Sequence, residues 1–125
     1  MPTVSLILPI RNEATHIRGC LQSIAQQDFP HEQMEIIIAD GLSTDNTKEV
    51  VEASKPSDIT LIWLDNPGKI VPTGLNLAIR QARGEIIIRV DGHTILAPDY
   101  VRECVRALQR SKAENVGGRM SPVGE

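Results

Sequence analysis

An α/β fold, with a mainly parallel sheet covered by helices on both faces, is what the order of periodicities in this sequence predicts. Four short runs of β-branched and apolar residues alternate with four segments in which apolar residues recur at helical spacing. A β-α-β-α-β-α-β-α order implies right-handed crossovers between parallel strands. With 125 residues, 41% of them hydrophobic, the chain has material for one core and little for a second, so one domain is expected.

The first strand, Val4–Ile10, is apolar and stops around Pro9, which cannot donate to a sheet ladder. Ile17, Cys20, Leu21 and Ile24 then fall at i, i+3, i+4 and i+7, one stripe of a helix whose first turn Asn12 is placed to cap. Residues 35–39 form a short continuous apolar strand. Val50 and Val51 belong to a short second helix entered through Ser43-Thr44-Asp45. Residues 59–64 read as the third strand. After the turn signal Asn66-Pro67-Gly68, a third helix is marked by Val71, Leu75, Ala78, Ile79 and Ala82, and it stops at Gly84, where glycine suits the left-handed conformation. The fourth strand covers residues 85–90 and is expected to be central in the sheet. Pro98 suits the first position of a fourth helix with the stripe Val101, Cys104, Val105 and Leu108. Residues 115–119, Asn-Val-Gly-Gly-Arg, look like the start of a further strand left unfinished, so the sequence is expected to be a piece of a longer domain.

Composition excludes several function classes. Lys and Arg number 13 against 16 Asp and Glu, a formal charge of −3, and only Phe29, Trp63 and Tyr100 are aromatic, so no nucleic-acid partner is expected. Cys20 and Cys104 lack C-x-x-C spacing, fall on apolar helix faces and read as reduced core residues. No apolar run approaches the ~18 residues of a membrane span. The N-terminus has neither the basic segment nor the cleavage pattern of a secretory signal, so a soluble, cytoplasmic chain is expected. Internal repeats and linkers are not visible.

Ligands of open α/β sheets bind beyond the carboxyl ends of the strands. Asp40, Asp65 and Asp91 end strands two, three and four, and strand one runs into Arg11-Asn12-Glu13 at the same edge. Aspartate is favoured in loops and caps in any case, which accounts for Asp65 and Asp45 better than for Asp91. Asp91-Gly92-His93 places a carboxylate and an imidazole one residue apart, able to face a divalent ion that bridges a diphosphate. From spacing alone, His93 is either such a ligand or an exposed turn residue. Arg89 shares strand parity with Asp91 in an otherwise apolar strand and therefore requires an anionic ligand, an ion-pair partner or an edge position.

Three segments carry a resemblance: Val4-Ser5-Leu6-Ile7-Leu8-Pro9-Ile10-Arg11-Asn12-Glu13, Ile38-Ala39-Asp40-Gly41-Leu42-Ser43-Thr44-Asp45-Asn46-Thr47 and Gly84-Glu85-Ile86-Ile87-Ile88-Arg89-Val90-Asp91-Gly92-His93. Together they resemble the nucleotide-sugar-binding half of family 2 glycosyltransferases, most of all the succinoglycan-type exopolysaccharide branch. The likeness spans practically the whole chain, and three motifs in order are far more specific than one. It implies a Rossmann-like GT-A fold and transfer of a sugar, with inversion, from a nucleoside-diphosphate donor, UDP-sugar favoured, to a polysaccharide or lipid-linked acceptor.

The same likeness assigns residues. Pro9, Arg11, Asn12 and Glu13 match the loop that lies against base and ribose, and Asp40 matches the first aspartate of an Asp-Asp-Gly-Ser stretch. Gly41 stands where the second aspartate would read uracil, which leaves the base preference open. Asp91 and His93 match the two acidic positions of the D-x-D motif, which handles ribose, diphosphate and a divalent metal, Mn²⁺ or Mg²⁺. Histidine in the second position removes a negative charge and can shift preference toward the softer Mn²⁺. Asn76 lies where the family carries a donor-facing stretch and is equally an ordinary polar helix residue. Lys69 can reach a phosphate or be simply solvated. His16 and His31 read as surface residues, Tyr100 and Trp63 as packing ones.

Residues 1–125 thus read as the donor-binding part of a transferase, with the acceptor part and the general base expected further along a longer chain. Glu103, on a helix, and Glu114 and Glu125, near the unfinished end, do not suit that role. The longer protein is expected in the cytoplasm or at the inner face of the cell membrane, and a piece lacking sheet strands can self-associate. An alternative of another class is a regulatory or assembly module of receiver type centred on Asp40 or Asp91. A receiver needs an acidic pair after strand one, where Arg11-Asn12-Glu13 supplies one acid, and a dinucleotide-binding domain needs a G-x-G-x-x-G that is absent.

Overall fold

The computed structural model describes residues 2–112. Strands β1 (Val4–Ile10), β2 (Met34–Asp40), β3 (Thr60–Asp65) and β4 (Ile86–Arg89) form one parallel sheet in the order β3-β2-β1-β4. Helices α1 (Ile17–Ala25), α2 (Thr47–Ser54) and α3 (Val71–Gln81) are the crossovers, and α4 (Tyr100–Lys112) follows β4. A single 3-10 turn, His31–Gln33, precedes β2. No helix among the described residues is long and apolar enough to cross a membrane.

Alternation along the strands sorts side chains into two unequal layers. Val4, Leu6, Leu8 and Ile10 of β1 and Ile36 and Ile38 of β2 pack against α1, α2 and α4. Ile7, Ile37 and Ile87 point the other way, where Ala78 of α3 meets them. Among the described residues, three helices therefore cover one face and α3 alone covers the other. Each fully buried aliphatic side chain, such as Leu6, Leu8, Ile36 or Ile38, contributes about 2 kcal/mol relative to exposure. α3 approaches closely because it presents small residues: a Cβ on Gly74 would lie 3.1 Å from Pro9 and 3.5 Å from Ala39.

Both cysteines are free thiols on helices that face the larger layer, Cys20 buried and Cys104 half-buried. Trp63 and Tyr100 pack against that layer. His31 is more than a surface residue, because Asp58 takes its Nδ1 at 2.7 Å and Gln27 O lies 3.2 Å from its Nε2.

Four local expectations are corrected. β4 is an edge strand among the described residues, not a central one, because periodicity reports burial and not neighbour order. Asn12 does not cap α1, whose N-cap position is His16 without a side-chain bond. Gly84 has no left-handed φ; it is required because a Cβ there would lie 2.7 Å from Ser5 N. α4 begins at Tyr100, and Pro98 sits in the turn before it, where its carbonyl accepts from Asp28 N at 2.9 Å. The expected strand start at 115–119, with Glu114 and Glu125, lies outside the described residues.

Candidate functional site

Because every strand runs the same way, the four following loops meet at one edge. Ile10 lies opposite Asp40, and Asp40 opposite Asp65, so β1, β2 and β3 end level. Ile7 lies opposite Arg89, which brings Asp91, two residues on, alongside the end of β1. A cleft of about 230 Å³ opens there, lined by Pro9, Ile10, Arg11 and Glu13 from the first loop, Asn66 to Val71 in part from the third, and Asp91, Gly92 and His93 from the fourth.

The first two loops are laced together. Arg11 Nε donates to Gly41 O at 2.9 Å. Asn12, at φ 55°, donates its N–H to Ser43 Oγ at 2.8 Å, and its Oδ1 accepts from Thr44 N at 2.8 Å and Asp45 N at 3.3 Å. Its amide therefore bridges loops instead of capping a helix. Glu13 N donates to Thr47 Oγ1 at 3.0 Å. Asp45 in turn accepts from Thr47 N and Oγ1 and from Ala14 N. Those bonds, the Thr47 hydroxyl first, hold its carboxyl below the ordinary range.

Asp40 is 4% exposed, and Ser43 occupies both its oxygens, donating N–H to Oδ2 at 2.9 Å and the hydroxyl to Oδ1 at 2.5 Å. It closes a turn behind the cleft and does not line it. That arrangement argues against a receiver-type centre at Asp40. Asp65 accepts from Trp63 Nε1 at 3.2 Å. Asn76 is exposed on α3 and is not among the lining residues.

The third loop is organised by Asn66, a residue that sequence reading treated only as a turn marker. Nearly fully buried, it donates N–H to Asp40 O at 2.7 Å and Nδ2 to Ile70 O at 3.0 Å, and its Oδ1 accepts from Gly68 N at 3.2 Å. Lys69 N donates to Asn66 O at 3.0 Å, and Lys69 takes φ 65°. A lysine in that left-handed region stores about 1 kcal/mol of strain.

In the fourth loop Asp91 is 37% exposed, with Arg89 Nη2 3.6 Å from its Oδ1. Arg89 thus has both an edge position and an ion-pair partner. Gly92 lets the loop lie on β1, since a Cβ there would sit 2.8 Å from Ile10 Cγ2 and 3.1 Å from Glu13 Cγ. His93 Nδ1 is 3.5 Å from Glu13 Oε2, and its ring meets His16 edge-on at 6.3 Å between centroids. Beneath them Cys20 Sγ donates to Asp91 O at 3.6 Å. Burial first, then the charges of Glu13 and Asp91, push that thiol up to about 12, so it is an inert hydrogen-bond donor.

Chemically, the lining of the cleft combines a carboxylate, Asp91, and an imidazole, His93, with two cations, Arg11 and Lys69. Asp91 can offer an oxygen to a divalent ion, and His93 can offer Nε2, because Glu13 lies on its Nδ1 side. Among the described residues no group of three or more His, Cys, Asp or Glu is gathered to hold a metal. An ion here would complete its shell with ligand oxygens and water, as hard divalent ions do beside phosphates.

Comparison with known proteins points to one family. Residues 5–124 match the family model described as Glycosyl transferase family 2. The succinoglycan biosynthesis protein ExoA of Rhizobium meliloti is 31% identical over 121 residues, 95% of this chain and 36% of that protein. Among solved structures, the mannosyltransferase PcManGT from Pyrobaculum calidifontis, in complex with GDP-Man and Mn²⁺, matches with TM-score 0.80 and 32% identity over 86% of this chain and 32% of that one. S. aureus TarS in complex with UDP-GlcNAc matches with TM-score 0.77 and 27% identity over 88% of this chain and 32% of that one. The chain spans about a third of the length of these relatives, and its sheet is the Rossmann-like GT-A sheet of the solved neighbours.

Proposed function

The chain belongs to Glycosyl transferase family 2, and we propose that its residues 1–125 are the donor-binding part of an inverting, metal-assisted transferase. The donor is a nucleoside-diphosphate sugar, UDP-sugar favoured, and the acceptor a polysaccharide or lipid-linked saccharide. One observation carries the reading: Asp91 and His93 share a cleft with Arg11 and Glu13, with Glu13 and His93 3.5 Å apart. UDP-GlcNAc and GDP-Man in the similar structures support the donor class, Mn²⁺ in one of them supports the metal, and the name of ExoA supports the acceptor class.

In this reading Asp91 and His93 would hold the ion, which when bound would supply positive charge to offset that growing on the leaving diphosphate. Arg11, Glu13 and Pro9 bound the space for the ribose and base, and the bonds of Asn12 and Asp40 keep that wall in place. Holding the donor in line with an incoming hydroxyl is then a matter of positioning. Deprotonating that hydroxyl needs a general base, which we assign to the acceptor part of a longer chain. Such a protein would work in the cytoplasm or at the inner face of the cell membrane, and pairing through β4, the edge strand among the described residues, would let the isolated piece self-associate.

Calorimetric titration of UDP and GDP into the full chain, with and without Mn²⁺, tests the assignment. Binding is expected only with the ion. Equal affinity in its absence would remove Asp91 and His93 from the role given them.

A further inference from the structure

Resting on the reading of the cleft as a nucleotide-sugar pocket, we propose that Lys69 is the cation that grips the donor's diphosphate. Three non-glycine residues among the described ones adopt a left-handed φ: Asn12, Leu42 and Lys69, at 55°, 58° and 65°. They follow β1, β2 and β3 respectively, all at the carboxyl edge. Asparagine tolerates that conformation; lysine does not favour it, and glycine would occupy it without strain. Strain of this kind persists where the surrounding structure over-determines it, and it gathers at ligand clamps.

The turn carrying Lys69 is over-determined in that sense. Asn66 ties it through its own side chain to Gly68 N and Ile70 O and through its N–H to the end of β2. Gly41 is packed against it so tightly that a Cβ would lie 3.0 Å from Lys69 O. The lysine backbone is therefore fixed at the cleft wall by both neighbours.

Its ammonium group is also unclaimed. Arg89 faces Asp91, Arg83 faces Glu35, Arg102 faces Asp28, and Arg11 Nε is taken by Gly41 O. Lys69 lines the cleft with no ion pair to any described residue. A compact positive charge on a fixed backbone, in a cleft that also presents the carboxylate of Asp91 and the imidazole of His93, matches a diphosphate, whose oxygens need neutralising from more than one side. A solvated surface lysine would need neither the left-handed backbone nor the brace beneath it.

The test uses the full chain with Mn²⁺ and titrates UDP and uridine, with GDP and guanosine in parallel, into the parent protein and three variants. Lys69→Met, which keeps the stem and removes the charge, is expected to weaken diphosphate binding about tenfold and to leave nucleoside binding unchanged. Lys69→Arg should retain most of the affinity. Lys69→Gly should raise Tm by relieving the backbone and still lose the diphosphate. Met and Gly variants that bind UDP within twofold of the parent would overturn the proposal, as would equal losses for UDP and uridine. A parent protein that binds neither diphosphate would instead bring down the donor-site reading on which this one rests.

Discussion

The two ends of the sheet hold similar residues in opposite states. At the amino end Glu35 is wholly buried, and it accepts from Ser5 Oγ at 2.6 Å, Arg83 N at 2.8 Å and Arg83 Nε at 3.1 Å. Gly84 N completes the set by donating to Ser5 Oγ at 2.9 Å. At the carboxyl end Asp91 is more than a third exposed and has one distant cation, while Lys69 is an exposed residue of the cleft lining. A carboxylate saturated by its own chain serves folding, and one left under-bonded in a cleft is available to a ligand. Asp40 sharpens the lesson: it stands at the carboxyl edge, and Ser43 nonetheless closes it off. Proximity to strand ends is thus insufficient, and the state of the oxygens decides.

Separating binding from stability would test this contrast, and the largest effect is expected at Asp91. Asp91→Ala should weaken Mn²⁺-supported UDP or GDP binding by at least about 100-fold. Its Tm should stay within about 2 °C of the parent, since only a partly exposed ion pair is lost. Glu35→Ala should do the reverse. It leaves Ser5 Oγ and Arg83 N without their buried acceptor, and urea denaturation should register a loss of about 2–3 kcal/mol, with nucleotide affinity of the folded protein unchanged. If Asp91→Ala destabilised as much as Glu35→Ala, or Glu35→Ala abolished binding, the division between the two ends would fail.

The smallest effect belongs to His31 and Asp58, away from the cleft. Asp58's hydrogen bond is the main cause raising the His31 pKa above 6.5, and the same bond lowers Asp58 below 3.8. The imidazolium is favoured in the folded protein, so its contribution is complete below about pH 6.5 and is lost as pH rises through the raised value. The Asp58 contribution is present above its ordinary range and is lost on acidification. The Tm difference between the parent and His31→Gln should therefore be larger at pH 5.5 than at pH 8.5, with nucleotide binding unaffected. A difference that did not shrink with rising pH would show that the contact acts through packing.

Much of this architecture was legible from residue spacing because parallel strands and their covering helices need apolar periods that few other arrangements share. β1 runs over the expected residues, and the stripes Ile17-Cys20-Leu21-Ile24 and Val101-Cys104-Val105 are the packed faces of α1 and α4. The edge position of β4 was not legible, since strand order depends on crossovers that leave no mark on local pattern. At the site, a continuous motif such as Asp91-Gly92-His93 is visible in one stretch of sequence. The bridging role of Asn12 is not, because an asparagine amide serves a helix cap and a loop tie equally well. The left-handed backbone of Lys69 was also hidden: only the preceding Pro67-Gly68 signals a turn, and nothing in a lysine announces its φ.

The close fit of Gly41 beneath Lys69 has an engineering consequence. Installing an aspartate at residue 41, as a route to a different nucleobase preference, would drive its first side-chain carbon against the neighbouring turn's carbonyl. Any substitution at residue 41 is thereby coupled to the loop that follows β3, and in the proposed donor site the two must be redesigned together.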